Sequence, residues 1–190
     1  MALPRPQIQG GRPLMQALND RKTIRNISSE KLPPQTLSNL LWAAWGVNRA
    51  ANNGRTAPSA MNTQEISLYV VLEQAVYLFD EKAHSLKPVL AGDHRDKAGT
   101  QSGVATAPVN LICVADLDKY RDGLAAESKT AWSNAHAGFI GQNVYLFAAS
   151  EGLASWFRAF VDGAAVTRLL NLRPGQKVLY GQTVGYPAKG

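Results

Sequence analysis

Three short stretches hold the residue types that could do chemistry. The first, "RKTIR" (21–25), sets Arg21, Lys22 and Arg25 around Thr23. In an extended chain, alternation puts Arg21, Thr23 and Arg25 on one side. Two guanidinium groups with a hydroxyl between them can grip a phosphate through charge-assisted hydrogen bonds. A solvated basic turn between two helices would carry the same charge. The second, "RTAPSAMNTQ" (55–64), is a polar turn in which proline fixes the entry and Ser and Asn bond nearby backbone. Such a loop can hold the face or edge of a ring and offer backbone donors; it can also be a plain surface loop. The third, "GLASWFRAFVD" (152–162), places aromatics beside a turn, enough for the apolar wall of a planar ligand's site or for ordinary core.

Little else offers a reacting group. His84, His94 and His136 are not spaced to share a zinc ion. No G-x-S-x-G, P-loop or G-x-G-x-x-G occurs. Cys113, the only cysteine, lies in the apolar run "VNLICVAD" and reads as a buried core thiol. With no protein nucleophile and no metal centre in view, an enzyme of this composition would borrow its reactivity from an organic cofactor.

The elements that must position these stretches fit one domain. The chain has 190 residues, of which 45% are hydrophobic and only 18% charged. That composition suits a single core and leaves room for a subunit interface. The net charge of +6 attracts anions at long range. No run reaches the ~20 apolar residues of a membrane span. The N-terminal residues lack the apolar centre of a signal peptide, so a cytoplasmic location is the default expectation. An exported form is compatible with a leader removed ahead of Met1.

Residues 1–12 read as an extended arm and 13–190 as one domain. "PLMQALND" predicts a short helix opened by proline. "LPPQTLSNLLWAAWGVN" predicts a clear one, with Leu37, Leu40, Leu41, Ala44 and Trp45 on one stripe. Residues 48–64 read as a long polar loop, and a loop of that length is often functional. "EISLYVVLE" reads as a strand, and "AVYLFD" with "SLKPVL" as a hairpin across "EKAH". Residues 93–106 suggest a short helix and loop, "PVNLICVAD" a buried strand, and 127–154 one long helix. Small residues along that helix allow close approach by another. A further short helix in "DGAAVTRLLNL" and a final strand complete an α+β domain, one sheet covered by helices.

Taken together, the three stretches resemble the FMN-dependent nitroreductase family. Its R-[RK]-[ST]-x-R stretch is matched by "RKTIR". Its P-S-A-x-N-x-Q loop is matched by Pro58, Ser59, Ala60, Met61, Asn62 and Gln64. Its long G-x-x-x-Q-N helix is matched by "GFIGQNVYLFAASEGLAS", and the last strand ends near "GYP". The resemblance spans roughly residues 13–187, and the "YLFDEKAHSLKPV" hairpin is similar to the SagB/ThcOx-type dehydrogenase branch.

The resemblance implies a nitroreductase-like fold, a central mostly antiparallel sheet flanked by helices, in a homodimer with two FMN sites at the interface. Carried over, Arg21 and Thr23 bind the ribityl phosphate, and Lys22 contributes its backbone. Arg25 lies near flavin N1 and O2, where a cation stabilises the charge of reduction. Ser59 and Asn62 reach the flavin from the partner subunit, and Gln101 meets the pyrimidine edge. The backbone at Phe157, Arg158 and Ala159 faces N5, and Lys189 closes the phosphate site. "WFRAF" departs from the small-residue turn usual in the family. The implied activity is hydride transfer from NAD(P)H to N5 and on to a small acceptor, a nitroaromatic or quinone, by a ping-pong scheme. Alternatives are an azoline dehydrogenase and a non-catalytic flavin-binding protein. Outside the enzyme class stands a basic nucleic-acid-binding domain. Scattered cations and the lack of a recognised module argue against nucleic acid as a partner.

Overall fold

The computed structural model describes residues 1–189. Helix α1 (Leu14–Asp20) leads to α2 (Pro34–Trp45), which starts on the Pro33–Pro34 pair. Its apolar stripe is buried as the spacing predicts, and Trp45 is fully enclosed with its indole N–H donated to the Ile66 carbonyl at 3.1 Å. The helix ends at Gly46, whose backbone is extended, and the position is glycine because a Cβ there would stand 2.5 Å from the Trp42 ring.

The segment read as an unstructured loop is partly ordered. It forms a small hairpin, β1 (Val47–Arg49) and β2 (Gly54–Arg55), turned through a left-handed Asn53. "NNG" is a hairpin-turn signal that the polarity of the segment hides. Strand β3 (Ile66–Val71) then runs into β4 (Ala75–Asp80) and β5 (Ser85–Ala91), the hairpin expected from the sequence. Asp80 fixes its turn by accepting the Lys82 and Ala83 amides at 3.1 and 2.9 Å. Residues 93–106 hold a single 3₁₀ turn at Arg95–Lys97 rather than an α-helix.

Strand β6 (Val109–Asp116) is buried at every position, as its unbroken apolar run requires. Helix α3 (Ala126–Glu151) ends at Gly152, whose φ of 69° suits glycine. Next comes β7 (Ala154–Arg158), a strand the sequence reading did not separate from the helix exit. Short helix α4 (Gly163–Leu169) and strand β8 (Gln176–Gly185) complete the chain.

The main sheet runs β5-β4-β3-β6-β8-β7, and every pairing in it is antiparallel. One face packs on α2 and α3 through residues such as Leu41, Trp45, Leu68, Leu111, Ile140 and Val144. The other is covered by α4 and the loop at 98–104 through Val71, Ile112, Val114, Val166 and Leu170. Residues 1–12 lie extended over α2 and the hairpin. Pro4 accepts the Ser38 hydroxyl at 2.5 Å, Arg5 accepts the Gln35 amide, and the Gln7 amide donates to Asn39. No helix among the described residues is long and apolar enough to cross a membrane.

Candidate functional site

The edge strand β7 organises the site. On its free side the Ser155 carbonyl accepts the Ile24 amide at 3.0 Å, so "RKTIR" runs beside the strand. Alternation separates Ile24 from Arg21 and Thr23 as expected, but Arg25 turns to Trp156 and does not share the Tyr145 side with them. Ile24 turns inward to the small cluster of Ile27, Ala107 and Ala154. Arg21 and Thr23 turn to Tyr145 on α3. The Arg21 guanidinium lies 5.4 Å from the ring centroid, and the Thr23 and Tyr145 hydroxyls are 2.8 Å apart. Tyr145 Oη also accepts the Phe157 amide at 2.9 Å, so one phenol ties the basic stretch to β7. Nothing in the sequence marks Tyr145 for this task. Arg25 comes next and lies 5.5 Å from the Trp156 ring centroid.

Beyond Phe157 the strand edge opens into a cleft of about 450 Å³. Arg25, Gln101, Phe157, Arg158 and Ala159, separated by up to 134 residues in sequence, meet there with Thr100, Trp156 and Phe160. None of these lining groups is acidic. The Gln101 side-chain oxygen is buried without a donor, and Arg158 Nε is buried without an acceptor. Among the described residues no protein acceptor meets the Ala159 N–H. The cleft therefore offers hydrogen-bonding groups, positive charge and aromatic walls.

The bulky "WFRAF" segment does not block it. Phe157 points to α3, where Gly141 makes room; a Cβ at 141 would stand 2.6 Å from the ring. Phe157 also packs on Tyr180 with centroids 4.9 Å apart. Arg158 enters the opposite side, bonded to Thr183, Ala98 and Asn110. The backbone edge stays clear. Arg21 and Lys22 line a neighbouring hollow with Arg12 and Pro187. Lys189 is exposed nearby, and Ala188 before it is bonded to the Asn26 carbonyl at 3.0 Å.

The loop Pro58–Gln64 is elsewhere. It packs on α3 at His136, nine residues and roughly 14 Å along the helix from Tyr145. Among the described residues no hydrogen bond joins it to the cleft. Met61, Asn62 and Gln64 all have φ near +50°, and the turn is held by its own side chains. Ser59 Oγ accepts the Gln64 amide, and Asn62 Oδ1 accepts the Gln64 side chain, at 3.0 and 2.9 Å. Pro58 is exposed, as is Met61.

A buried dyad fastens this loop. The Ala60 N–H donates to His136 Nε2 at 2.8 Å. A backbone amide can only donate, so Nε2 carries no proton and His136 is the neutral Nδ1–H tautomer. That proton meets Glu65 Oε1 at 2.7 Å. Glu65 is fully enclosed, with its second oxygen unpartnered. Burial, with the Glu65 carboxylate nearby, pushes the Tyr120 phenol up to about 12. A lone histidine in a long helix offers no sequence signal for this pairing.

The model of the nitroreductase family matches residues 18–186. A provisionally assigned nitroreductase from Ralstonia eutropha JMP134 superposes with a TM-score of 0.93, at 35% identity, over 100% of this chain and 90% of its own. The provisionally assigned nitroreductase MJ1384 of Methanocaldococcus jannaschii is 29% identical over 152 residues, 75% of this chain and 76% of that protein. The NADPH:FMN oxidoreductase of Vibrio harveyi shares the fold, with a TM-score of 0.68 at 20% identity over 93% of this chain and 69% of its own. An edge-strand cleft between two arginines and a family match over nearly the whole domain lead to one conclusion: the chain belongs to the nitroreductase family and is an oxidoreductase of its fold.

Proposed function

We propose that the protein binds FMN in the β7 cleft and transfers hydride from NAD(P)H to a small oxidised acceptor. The carrying observation is the acid-free cleft, where Gln101 Oε1 and Arg158 Nε are buried without partners beside an open backbone edge. A planar heteroaromatic ring with donors and acceptors on its rim fits that set. When bound, FMN supplies N5, which accepts a hydride and passes it on.

The protein's own groups position and stabilise. Arg21 and Thr23, with Lys22 along the same backbone and Lys189 nearby, hold the phosphate. Arg25 and Gln101 face the pyrimidine edge, and the backbone edge over Phe157, Arg158 and Ala159, open at the Ala159 amide, faces N5. Donors fixed in place cost no reorganisation as charge develops. No side chain need move a proton, because solvent reaches the open cleft. The alternating exchange of donor and acceptor follows from one cleft serving both.

The Pro58–Gln64 loop lies too far from the cleft to serve it within one chain. Ser59 and Asn62 therefore act on the cleft of a second copy, and the working unit is a homodimer. The exposed apolar side chains of Met61 in the loop and of Phe139, whose ring lies 6.3 Å from that of His136, support this reading. The test is the visible spectrum of the purified protein, with chromatography of what heat releases. FMN at about one per subunit, and bleaching by NAD(P)H with recovery on adding a quinone, is expected. A colourless protein that takes up no added FMN refutes the reading.

A further inference from the structure

Arg158 is a cation that the fold encloses without an acid. Its side chain is 4% exposed, and every partner is neutral. Nη1–H donates to Thr183 Oγ1 at 2.5 Å, and Nη2–H to the Ala98 carbonyl at 2.7 Å and Asn110 Oδ1 at 3.4 Å. The Trp156 ring lies 5.7 Å away, and Nε–H meets no acceptor. The chain does pair its other enclosed arginine: Arg55 has Glu81 at 3.2 Å.

The surroundings are shaped to this guanidinium. A Cβ on residue 99 would stand 2.6 Å from Nε, and one on residue 181 would stand 3.2 Å from Cζ, so both positions are glycine. Burial pushes the Arg158 pKa down to about 10, so the group is still charged at neutral pH. An unpaired buried charge is costly, and an apolar residue of similar volume would make a more stable core. Inside the fold the guanidinium meets only neutral acceptors, which leaves its charge uncompensated, and Arg158 also lines the cleft with Arg25 and Gln101.

We propose that Arg158, rather than the exposed Arg25, is the principal counter-charge for the anion that forms in the cleft when the bound ring is reduced. Uptake of two electrons and one proton leaves the ring with one negative charge. Arg25 and Arg158 both lie within 6 Å of the Trp156 ring, but water surrounds Arg25 and protein surrounds Arg158. The same charge acts more strongly where the surroundings polarise less. Arg158 is thus a potential-setting residue, an assignment that rests on the FMN reading above.

The experiment measures the two-electron midpoint potential of the FMN-loaded protein against reference dyes. Arg158→Gln should weaken the preference for reduced over oxidised FMN by about tenfold, a fall of ~30 mV, and Arg25→Gln by clearly less. Arg158→Lys should keep most of the wild-type potential, because it restores the charge. If Arg158→Gln does not fold, Asn110→Asp gives the guanidinium an internal carboxylate in place and should lower the potential in the same direction. An unmoved potential in a variant that still binds FMN overturns the proposal. So does a fall in Arg158→Lys equal to that in Arg158→Gln, or a larger effect from Arg25. Failure of the wild-type chain to bind FMN instead removes the cofactor reading, and this proposal with it.

Discussion

Replacing His136 by Phe keeps a ring in the core and removes both nitrogens. The Ala60 N–H then loses its acceptor and the enclosed Glu65 carboxylate loses its donor. A hydrogen bond to a charged group is worth roughly 1.5–3 kcal/mol, and an orphaned buried N–H costs about 1–3. The expected loss is therefore about 3–5 kcal/mol at neutral pH, close to that for breaking a buried pair from one side. Glu65→Gln removes the charge but keeps an oxygen for the Nδ1–H, so it should cost about 1 kcal/mol or less. Removing both partners, in His136→Phe with Glu65→Leu, should recover most of the loss, because no buried charge is left behind. Urea titrations read these differences, with the slope m unchanged if the unfolded state is unaltered. A loss under 1 kcal/mol, or a Glu65→Gln variant as damaged as His136→Phe, would refute the tautomer assignment and the role given to the dyad.

Other expectations follow from single contacts. Tyr145→Phe removes the acceptor of the Phe157 amide and the partner of Thr23; it should cost about 1–3 kcal/mol and speed hydrogen exchange at Phe157, where unchanged exchange would show that the phenol ties nothing down. Gly141→Ala gains roughly 1 kcal/mol of helix propensity but drives a methyl to 2.6 Å from the Phe157 ring, so a net loss of about 1–2 kcal/mol is expected in thermal or urea unfolding, and a gain would mean that Phe157 has room to move. Burial pushes the Cys113 thiol up to about 12, so it stays protonated at pH 8–9 in the folded chain. Iodoacetamide should label it only after unfolding, and stability should fall as pH rises above the ordinary thiol range; prompt labelling of the native protein would contradict its burial.

The parts of the fold legible from sequence are those where one physical signal dominates. The stripe from Leu37 to Trp45, the hairpin around "EKAH" and the unbroken run of β6 each bury one face or both, and the pattern says which. Alternation in "RKTIR" is visible for the same reason, since Ile24 must point inward. Strand β7 is silent because its two sides are both occupied. Trp156 and Arg158 enter one side and Phe157 the other, so no polar face remains to mark the period. The hairpin at 47–55 is masked by its polarity, although "NNG" names its turn. Gln101 and Arg158 join the cleft only through the packing of the 98–104 loop on the sheet, a contact no local pattern encodes. His136 and Glu65 are 71 residues apart, and only the folded chain brings them to one hydrogen bond.

The location of the cleft follows from how the sheet ends. An open edge strand presents unpaired amides and carbonyls, and a fold must cover them or use them. At the β5 edge, Pro88 withholds a donor, an irregular register sits opposite it, and Lys87 adds a charge. At the β7 edge the first half is covered, since Ser155 bonds Ile24 and Phe157 bonds Tyr145. From Ala159 the cover stops, at the point where Arg25 and Arg158 approach the same indole. A planar ligand whose rim carries both donors and acceptors can take the place of the missing neighbour strand there. Such a ligand gains backbone hydrogen bonds that no side-chain substitution can remove. Changes at Arg25 or Arg158 should therefore alter the ligand's redox balance more than its retention. The comparison to make is the dissociation constant of oxidised FMN against its midpoint potential across the same variants. A parallel loss of both would show that the arginines, and not the strand edge, hold the ring.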